Sequence, residues 1–240
     1  MWIKRKTRRI FCPGLGERRR KMRSLSLFMT AIGVIFLSFQ GRPLTEAKIS
    51  SLPQPSLKGD VSVEEALARR RSIRSFSEEK LTTEEISQLL WAAQGITQRG
   101  TGFRTAPSAG ALYPLEVYLV TEDGLFHYMS QGHRLERLED SDLRNELAGA
   151  ALGQRAVREA AVDFVVTAVY SRTTRKYGPR GERYVHIEVG HLGQNIHLQA
   201  VALGLGSLSV GAFSDEQVRR VLSLPKEEVP LYIIPVGHPK

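Results

Sequence analysis

Cysteine is almost missing from this sequence: Cys12 is the single cysteine among 240 residues. One thiol can form no disulfide within the chain, and it cannot supply the several thiolates of a structural zinc site. The six histidines show no spacing typical of metal ligands. Glu188, His191 and Asn195 share one face of a predicted helix, but no second such group completes a helical metal site. We assign them to packing or hydrogen bonding at an interface between two copies of the chain, and the sequence predicts no metal site.

Acidic residues are nearly missing from the first 23 positions, which hold ten Lys or Arg and one acid, Glu17. The net charge of +9 therefore arises there, since the remaining residues carry 24 basic and 24 acidic side chains. A protein that binds nucleic acid needs a broad basic surface to neutralise phosphates. The neutral remainder lacks that excess of charge, and we expect no nucleic-acid partner.

The N-terminal region also lacks an apolar run long enough to cross a bilayer comfortably. Residues 25–39, LSLFMTAIGVIFLSF, are uncharged, but these fifteen residues fall short of the roughly 20 that a transmembrane helix needs. A basic flank before a short apolar run is typical of a secretory signal, and Met22 would suit as its start. An uncleaved anchor and a buried core helix are the alternatives. We expect residues 1–40 to be a basic N-terminus with a signal peptide or membrane anchor, which exports the protein or anchors it outside the cytoplasm.

Residues 41–60 contain three prolines and few large apolar side chains, which predicts an extended linker. The folded domain is then expected over residues 61–240. Its helix and strand patterns are mixed without a regular repeat, so we predict an α+β domain with helices covering one sheet. Ser62 and Ser214 are placed to cap helices. Helices are predicted at 62–70, 82–96, 141–154, 182–206 and 214–222, and strands at 115–121, 124–128, 161–170 and 230–237.

A basic segment, RRRSIRSF at residues 69–76, follows the first predicted helix. In an extended chain alternate residues point the same way, so Arg70, Ser72 and Arg74 can face one ligand. Guanidinium groups bind phosphate through paired hydrogen bonds, and a serine hydroxyl adds another donor. The pattern suits a phosphate site, and a solvated basic helix end would show the same residues.

Small residues stand before the predicted strand at 115–121. In RTAPSAGALYPLEVYLV, residues 104–120, Ser108, Ala109 and Gly110 leave the backbone accessible. A flat aromatic ligand could lie against this backbone and accept hydrogen bonds from it. A tight turn leading into the strand explains the same residues, so the segment alone leaves both interpretations open.

Six motifs occur in order along the chain: RRSIRSF, LLWAAQGIT, RTAPSAGALYPLEVYLV, KYGPRGERYVHIEVGHLGQNIHLQAVALGLGS, VGAF and PLYIIPVGHP. This ordered set resembles the flavin-dependent nitroreductase superfamily and, within it, the SagB/ThcOx-type dehydrogenases. The similarity covers about residues 63–239. It implies a nitroreductase-like α+β fold, with a central mixed β-sheet flanked by helices and with FMN bound at a homodimer interface.

The resemblance assigns cofactor-binding residues motif by motif. The broader superfamily often has Asn at the position that Ala111 occupies in this chain. One polar contact to the flavin is therefore expected to be missing. The implied contacts are Arg70, Arg71, Ser72 and Arg74 for the FMN phosphate and ribityl chain; Pro107, Ser108, Ala109 and Gly110 beside the isoalloxazine; Gly211 and Ala212 facing flavin N5; and Gly237 near the phosphate.

Lys176 and Tyr177, in RKYGPRG, match a Lys-Tyr pair implicated in proton removal in azoline-oxidising members of this branch. The chemical reason is that loss of hydride to flavin N5 requires a base near the neighbouring acidic proton. The alternative is that this segment is a polar loop without a role in the chemistry.

The function that the resemblance implies is an FMN-dependent oxidoreductase that passes hydride through flavin N5 by a ping-pong mechanism. The expected partners are a second copy of the chain and a small-molecule or peptide substrate, with NAD(P)H as a candidate electron donor. Two alternatives stay open: a dehydrogenase of azoline rings in modified-peptide biosynthesis, and a flavin-binding or redox-sensing module without turnover. Reduction of the bound flavin followed by reoxidation with an acceptor would separate the enzymes from the module.

Overall fold

The computed structural model describes residues 48–98 and 100–240. The basic N-terminal residues 1–23 and the apolar run at 25–39 lie outside the described residues, so the signal or anchor stays a prediction. Within the described part of the chain, no helix combines the length and apolar character that crossing a membrane would require.

The central sheet has seven strands in the described residues, and every pair of neighbouring strands is antiparallel. The expectation of a mixed sheet is therefore wrong. Short hairpins join the three consecutive strands between residues 115 and 139, and a single isolated bridge among the described residues, Ser72 to Ser207, is parallel. The order is β1 (Lys48–Ser51), β6 (Arg134–Glu139), β5 (Gly124–Met129), β4 (Leu115–Thr121), β7 (Val162–Ala168), β9 (Val229–Gly237) and β8 (Gly206–Ser207); β2 (Ile96–Gln98) and β3 (Phe103–Arg104) form a separate ribbon.

Helices cover both faces of the sheet, because successive side chains of a strand point in opposite directions. Phe164 of β7 packs into one core with Leu89 and Leu192, whereas its neighbour Val165 packs into a second core with Leu147. Helices on the first face are α1 (Val63–Arg69), α2 (Thr83–Gln94) and α6 (Arg180–Ala202); those on the second are α3 (Arg144–Ala150), α4 (Arg155–Glu159) and α7 (Asp215–Val221).

The predicted helix starts are confirmed by their caps. Ser62 and Ser214 accept hydrogen bonds from backbone N–H groups of the first turn, and Thr82 forms a reciprocal capping box with Glu85. The helix predicted at 141–154 is shorter in the structure, where it is α3, and α4 follows it outside the predicted range. The chain breaks between them where Leu152 and Gly153 adopt left-handed backbone conformations (φ 59° and 73°).

The prediction of a linker over residues 41–60 is wrong for its C-terminal part. β1 pairs with β6 along the edge of the sheet, and Leu52 is buried in the first core. The hydroxyl of Ser87 donates to the Pro53 carbonyl at 2.6 Å, so this proline-containing segment is held against α2. Prolines here end an edge strand rather than mark a free linker, and the domain begins before residue 61.

The strand register defines two ends of the sheet. At one end, here called the loop end, Leu115 of β4 pairs with Ala168 of β7, which in turn pairs with Val229 of β9. At the other, here called the C-terminal end, Gly206 of β8 pairs with Gly237 of β9. Eight residue steps along β9 separate these levels, or about 26 Å at the usual rise per residue.

Candidate active site

The small-residue segment before β4 forms a tight, partly strained turn at the loop end. Residues Ala109–Ala111 make one turn of 3₁₀ helix, in which Gly110 has left-handed backbone angles (φ 66°, ψ 18°). The Ser108 hydroxyl accepts a hydrogen bond from the Tyr113 N–H at 2.9 Å, which closes the turn. Pro107 and Gly110 are exposed. The backbone of this turn is therefore both fixed and accessible.

Gly110 is the point at which the two predicted groups of residues meet. A Cβ atom placed on it would lie 2.7 Å from the Tyr177 hydroxyl and 2.9 Å from the Lys176 amine. Those distances are far below van der Waals contact, so no larger residue fits while both side chains hold these positions. The structure thus brings the predicted catalytic pair against the predicted flavin loop.

The segment that carries Lys176 and Tyr177 is a helix, α5 (Ser171–Tyr177), and the alternative of a polar loop is wrong in that respect. The helix follows directly after β7 and ends at Gly178, which has a left-handed φ of 60°. The Tyr177 ring packs edge-on against Tyr184 of α6, with ring centres 5.1 Å apart. Lys176 is exposed and Tyr177 half-buried.

An ion pair ties α5 to β4 and to the small-residue turn. The Arg172 guanidinium lies 2.5 Å from a Glu116 carboxylate oxygen, and it also donates to the Tyr113 carbonyl at 3.2 Å. Burial alone would raise the pKa of Glu116, but a hydrogen bond from His127 and the charge of Arg172 outweigh it and hold that pKa below its ordinary value. Arg172 and Lys176 are one helical turn apart, so this anchor fixes the face of α5 that meets Gly110.

A buried acid supports the turn from behind. Glu188 of α6 is 2% exposed and lies beside Ser108 and Gln94. Burial raises the pKa of Glu188, while these two polar neighbours and the charge of Arg104 oppose that rise. The Arg104 guanidinium in turn donates to the side-chain amide oxygen of Gln94 at 3.1 Å. The sequence placed Glu188 on one helix face with His191 and Asn195 and predicted contacts at the dimer interface, whereas the structure buries Glu188 within a single chain.

The predicted phosphate-binding segment lies at the other end of the sheet. Ser72 forms the parallel bridge with Ser207, the Ile73 N–H donates to the Ser207 carbonyl at 3.0 Å, and Phe76 bridges to Pro239. The segment is therefore extended, as the alternation argument assumed. Arg71, Ser72 and Arg74 are exposed and Arg70 half-buried.

The positive charge of this segment is not compensated within the described residues. Arg70, Arg71 and Arg74 form no ion pair there, although Arg71 donates to the carbonyls of Ala68 and Arg70. Several guanidinium groups and a serine hydroxyl on one accessible strand suit a phosphate dianion. The residues present therefore fit the FMN phosphate that the resemblance implies.

His197 of α6 lies beside the basic segment and stays neutral at physiological pH. Its two ring nitrogens contact the hydroxyls of Ser207 and Ser209 at 2.8 and 2.7 Å. Burial, with a smaller contribution from the charge of Arg70, lowers the pKa of His197 to about 4. This histidine joins α6 to β8 and so shapes the backbone on which the arginines rest.

Three further predicted residues, all lacking a large side chain, lie near β9. A Cβ at Gly237 would come within 3.1 Å of the Phe76 ring, so packing already explains this glycine, and its place near a phosphate stays a prediction. Gly211 and Ala212 follow the bridge between Val210 and Ile233 and are exposed. A Cβ on Gly211 would touch nothing within 4 Å, which leaves room there for a ligand.

The structure therefore forms two separate clusters from the predicted residues. One contains the turn at 107–110 with Lys176 and Tyr177 at the loop end; the other contains the basic segment 70–74 at the C-terminal end. The two clusters lie at opposite ends of the sheet, at levels that are about 26 Å apart along β9.

Comparison with known proteins identifies the family to which this chain belongs. Residues 67–238 match the model of the Nitroreductase family. A protein of Methanocaldococcus jannaschii, provisionally named a nitroreductase, is 45% identical over 184 residues, which are 74% of this chain and 91% of that protein. The microcin B17-processing protein McbC of Escherichia coli is 27% identical over 168 residues, 65% of this chain and 61% of its own length. A crystal structure from Ralstonia eutropha, also provisionally named a nitroreductase, superposes with a TM-score of 0.73 at 27% identity and covers 80% of this chain and 90% of that one. Because the family model spans most of the folded domain, this chain belongs to the nitroreductase family of flavin oxidoreductases.

Proposed function

We propose that this protein is an FMN-dependent oxidoreductase in which two copies of the chain complete each flavin site. The observation that carries the proposal is the contact of Lys176 and Tyr177 with Gly110, which joins candidate proton-transfer groups to the bare turn. The basic segment lies at the other end of the sheet in the same chain, and a symmetric pair would supply it from the other copy.

The basic segment would hold the phosphate of FMN. Arg70 and Arg74 offer planar donor pairs, and the Ser72 hydroxyl adds a donor beside them. One guanidinium nitrogen of Arg71 already donates to backbone carbonyls. We therefore propose that Arg71 contacts the ribityl chain rather than the phosphate. Gly211 and Ala212 would offer open backbone to the ring system.

Bound FMN would supply hydride transfer at N5, taking a hydride from one substrate, for which we propose NAD(P)H, and delivering it to a second. The chain's own residues do the rest. The turn at 107–110 supports the flat ring system on its backbone, and Gly110 has no side chain that would displace Lys176 and Tyr177 from the turn. The Lys176 amine and the Tyr177 hydroxyl hold or release the proton that accompanies the hydride.

Exposed apolar residues around α1 support pairing of two chains. Leu57, Val63 and Leu67 are 79%, 65% and 53% exposed. Three large apolar side chains so close in the chain favour a contact that removes them from water. We propose that this surface, next to the basic segment, contributes to the homodimer interface.

The test is complementation between two defective variants of the full-length chain. Arg70→Ala/Arg74→Ala removes phosphate contacts, and Lys176→Ala/Tyr177→Phe removes the proton-transfer groups. Co-expressed, the two variants form mixed dimers in which one site carries both defects and the other carries none. NADPH oxidation with a nitro acceptor, measured at an FMN concentration that saturates only the wild type, should recover to about a quarter of the wild-type rate.

The result against the proposal is equally clear. If each site lay within one chain, every site in a mixed dimer would carry one defect, and activity would not recover. A folded wild-type protein that stays colourless with excess FMN would contradict the cofactor itself.

A second candidate is dehydrogenation of azoline rings in a peptide. The contact between the Lys-Tyr pair and Gly110 favours it, because a ring oxidation must remove a proton as the hydride leaves. The similarity to a microcin-processing protein adds support, although this chain spans 61% of that relative. Incubating the FMN-loaded protein with an azoline-containing peptide and following the loss of two hydrogens by mass spectrometry would decide it.

We also propose that residues 1–40 place the enzyme outside the cytoplasm, by export or by anchoring. The support is the charge pattern, basic residues before an uncharged run at 25–39. Fractionating cells that express the full-length chain would test this, since recovery in the cytoplasmic fraction alone would contradict it.

A further inference from the structure

An open groove adjoins the candidate catalytic pair and is built largely from the start of α6. Tyr177 forms one wall and is therefore shared between the groove and the contact with Gly110. The side chains that line it, here called the basic groove, are Tyr177, Arg180, Glu182, Arg183, His186 and Ile187. A substrate in this groove would reach the reacting groups without crossing any other part of the described surface.

The basic groove carries uncompensated positive charge. Between residues 171 and 186 the chain has five Lys or Arg and a single acid, Glu182. Arg172 is paired with Glu116, but Arg175, Lys176, Arg180 and Arg183 form no ion pair with any residue that the structure describes. Because the chain after residue 23 is neutral as a whole, this excess is local.

The geometry of α6 concentrates the charge. Arg180 and Arg183 are three residues apart and Ile187 follows four residues later, so the three lie on neighbouring turns of one face. Like charges at this spacing repel each other, and a bound anion would relieve that repulsion. All three side chains are exposed, Ile187 by 49%.

The groove also offers apolar contacts. The Tyr177 ring is held edge-on by Tyr184 at 5.1 Å, and Ile187 presents an aliphatic surface beside it. Basic heads next to an aromatic and an aliphatic wall are complementary to an organic molecule that has an apolar body and an acidic group.

We propose that the basic groove binds the anionic group of the substrate, so that the enzyme selects organic carboxylates or phosphates over neutral analogues. This inference rests on the proposed function, since it concerns the substrate that meets the flavin beside Lys176 and Tyr177. The same chemistry has two sources, a carboxylate on the acceptor or the additional phosphate of NADPH on the donor.

The experiment compares matched substrates in the full-length, FMN-loaded enzyme. 4-Nitrobenzoate and 4-nitrobenzamide share the reducible nitro group and differ in charge; NADPH and NADH differ by one phosphate. The variant is Arg180→Gln/Arg183→Gln. The control, Arg158→Gln/Arg220→Gln, makes the same change in net charge on α4 and α7, on the opposite face of the sheet.

The groove variant should lower the kcat/KM ratio of nitrobenzoate to nitrobenzamide, or that of NADPH to NADH, by about tenfold, as two partly exposed ionic contacts allow. The pair of substrates whose ratio falls identifies the source of the anion. The control variant should leave both ratios unchanged. The wild-type preference should also weaken as salt rises from about 0.01 to 1 M.

A readout independent of turnover completes the design. Equilibrium dialysis against oxidised enzyme uses 4-nitrobenzoate if the acceptor ratio fell and NADP+ if the donor ratio fell. That anion should bind more weakly to the groove variant than to the control. Unchanged ratios in both substrate pairs would overturn the inference, as would loss of the dimer or of FMN affinity in the groove variant alone, because the arginines would then serve assembly. Failure of the proposed function looks different: the wild type would bind no FMN or reduce neither nitro compound.

Discussion

The two ends of the sheet show two ways of building a binding surface. At the C-terminal end, the basic segment is five consecutive residues laid along the edge of β8, and its arginines have no ionic partners among the described residues. At the loop end, Gly110 and Glu116 come from one part of the chain and Arg172 and Lys176 from a distant one, and an ion pair joins the two parts. The first surface therefore offers positive charge that an anion can bind, whereas the charges of the second already pair with each other and hold its parts together.

This contrast has an energetic consequence. Substitutions at the C-terminal end should alter the affinity for the cofactor or the pH dependence of stability, because the arginines there have no ionic partner among the described residues. Substitutions at the loop end should instead alter the order of the backbone, because the Arg172 guanidinium already forms an ion pair that positions α5. Four experiments separate these expectations.

The largest effect concerns the pH dependence of stability through His197. Its pKa is about 4 in the folded state against an ordinary value of 6.5, so the unfolded chain binds a proton first as the pH falls. The free energy of unfolding is therefore undiminished above about pH 6.5 and decreases as the pH falls towards 4, by up to about 3 kcal/mol. Denaturant titrations at several pH values should show this slope.

His197→Gln should remove most of that slope, and His191→Gln, which changes an exposed histidine of the same helix, should keep it. Equal slopes in the wild type and in His197→Gln would show that this histidine is not held neutral.

Arg74→Ala tests the basic segment as a phosphate site. Loss of one charge-assisted contact should weaken FMN binding by about 1.5–3 kcal/mol, roughly tenfold to a hundredfold in Kd. Fluorescence titration with FMN measures it. The control is Arg69→Ala, whose guanidinium is already paired with Glu65 at 2.8 Å; equal affinities in the two variants would contradict the assignment.

How far the sequence could predict these two regions follows from the distances between their residues along the chain. Ser62 and Ser214 announce helix starts locally, and the strand at 115–121 has the predicted bounds. The basic segment could likewise be recognised from spacing within five residues. Local patterns were sufficient wherever the structure depends on neighbours in the chain.

Long-range packing explains what the sequence did not predict. β1 was hidden among prolines, because its stability depends on pairing with β6. α5 has no side-chain cap and few apolar residues, so no periodicity indicated it. Lys176 was assigned through family resemblance alone, and the anchor from Arg172 to Glu116 spans 56 positions that no local pattern connects.

Gly110→Ala tests the crowded turn. A side chain there would collide with Lys176 and Tyr177 and would occupy a left-handed conformation, at a cost of about 1–2 kcal/mol in stability. Gly211→Ala is the matched control, because it has a free surrounding space and no left-handed φ. Thermal unfolding should show a lower melting temperature for Gly110→Ala than for Gly211→Ala. Equal melting temperatures would mean that Lys176 and Tyr177 do not pack against Gly110.

The smallest change in the free energy of unfolding is expected when the ion pair that anchors α5 is removed. This experiment tests most directly whether the two ends of the sheet differ in rigidity. Arg172 is partly exposed, so Arg172→Ala should lower the free energy of unfolding by less than about 1 kcal/mol. Its local effect should be larger, since α5 is short and lacks a cap. Amide hydrogen exchange over residues 171–178 of the flavin-free protein should accelerate in Arg172→Ala and stay unchanged in Arg175→Ala, whose side chain is unpaired among the described residues. Equal exchange in both variants would show that packing against α6 alone holds α5. The loop end would then be held no more rigidly than the basic segment.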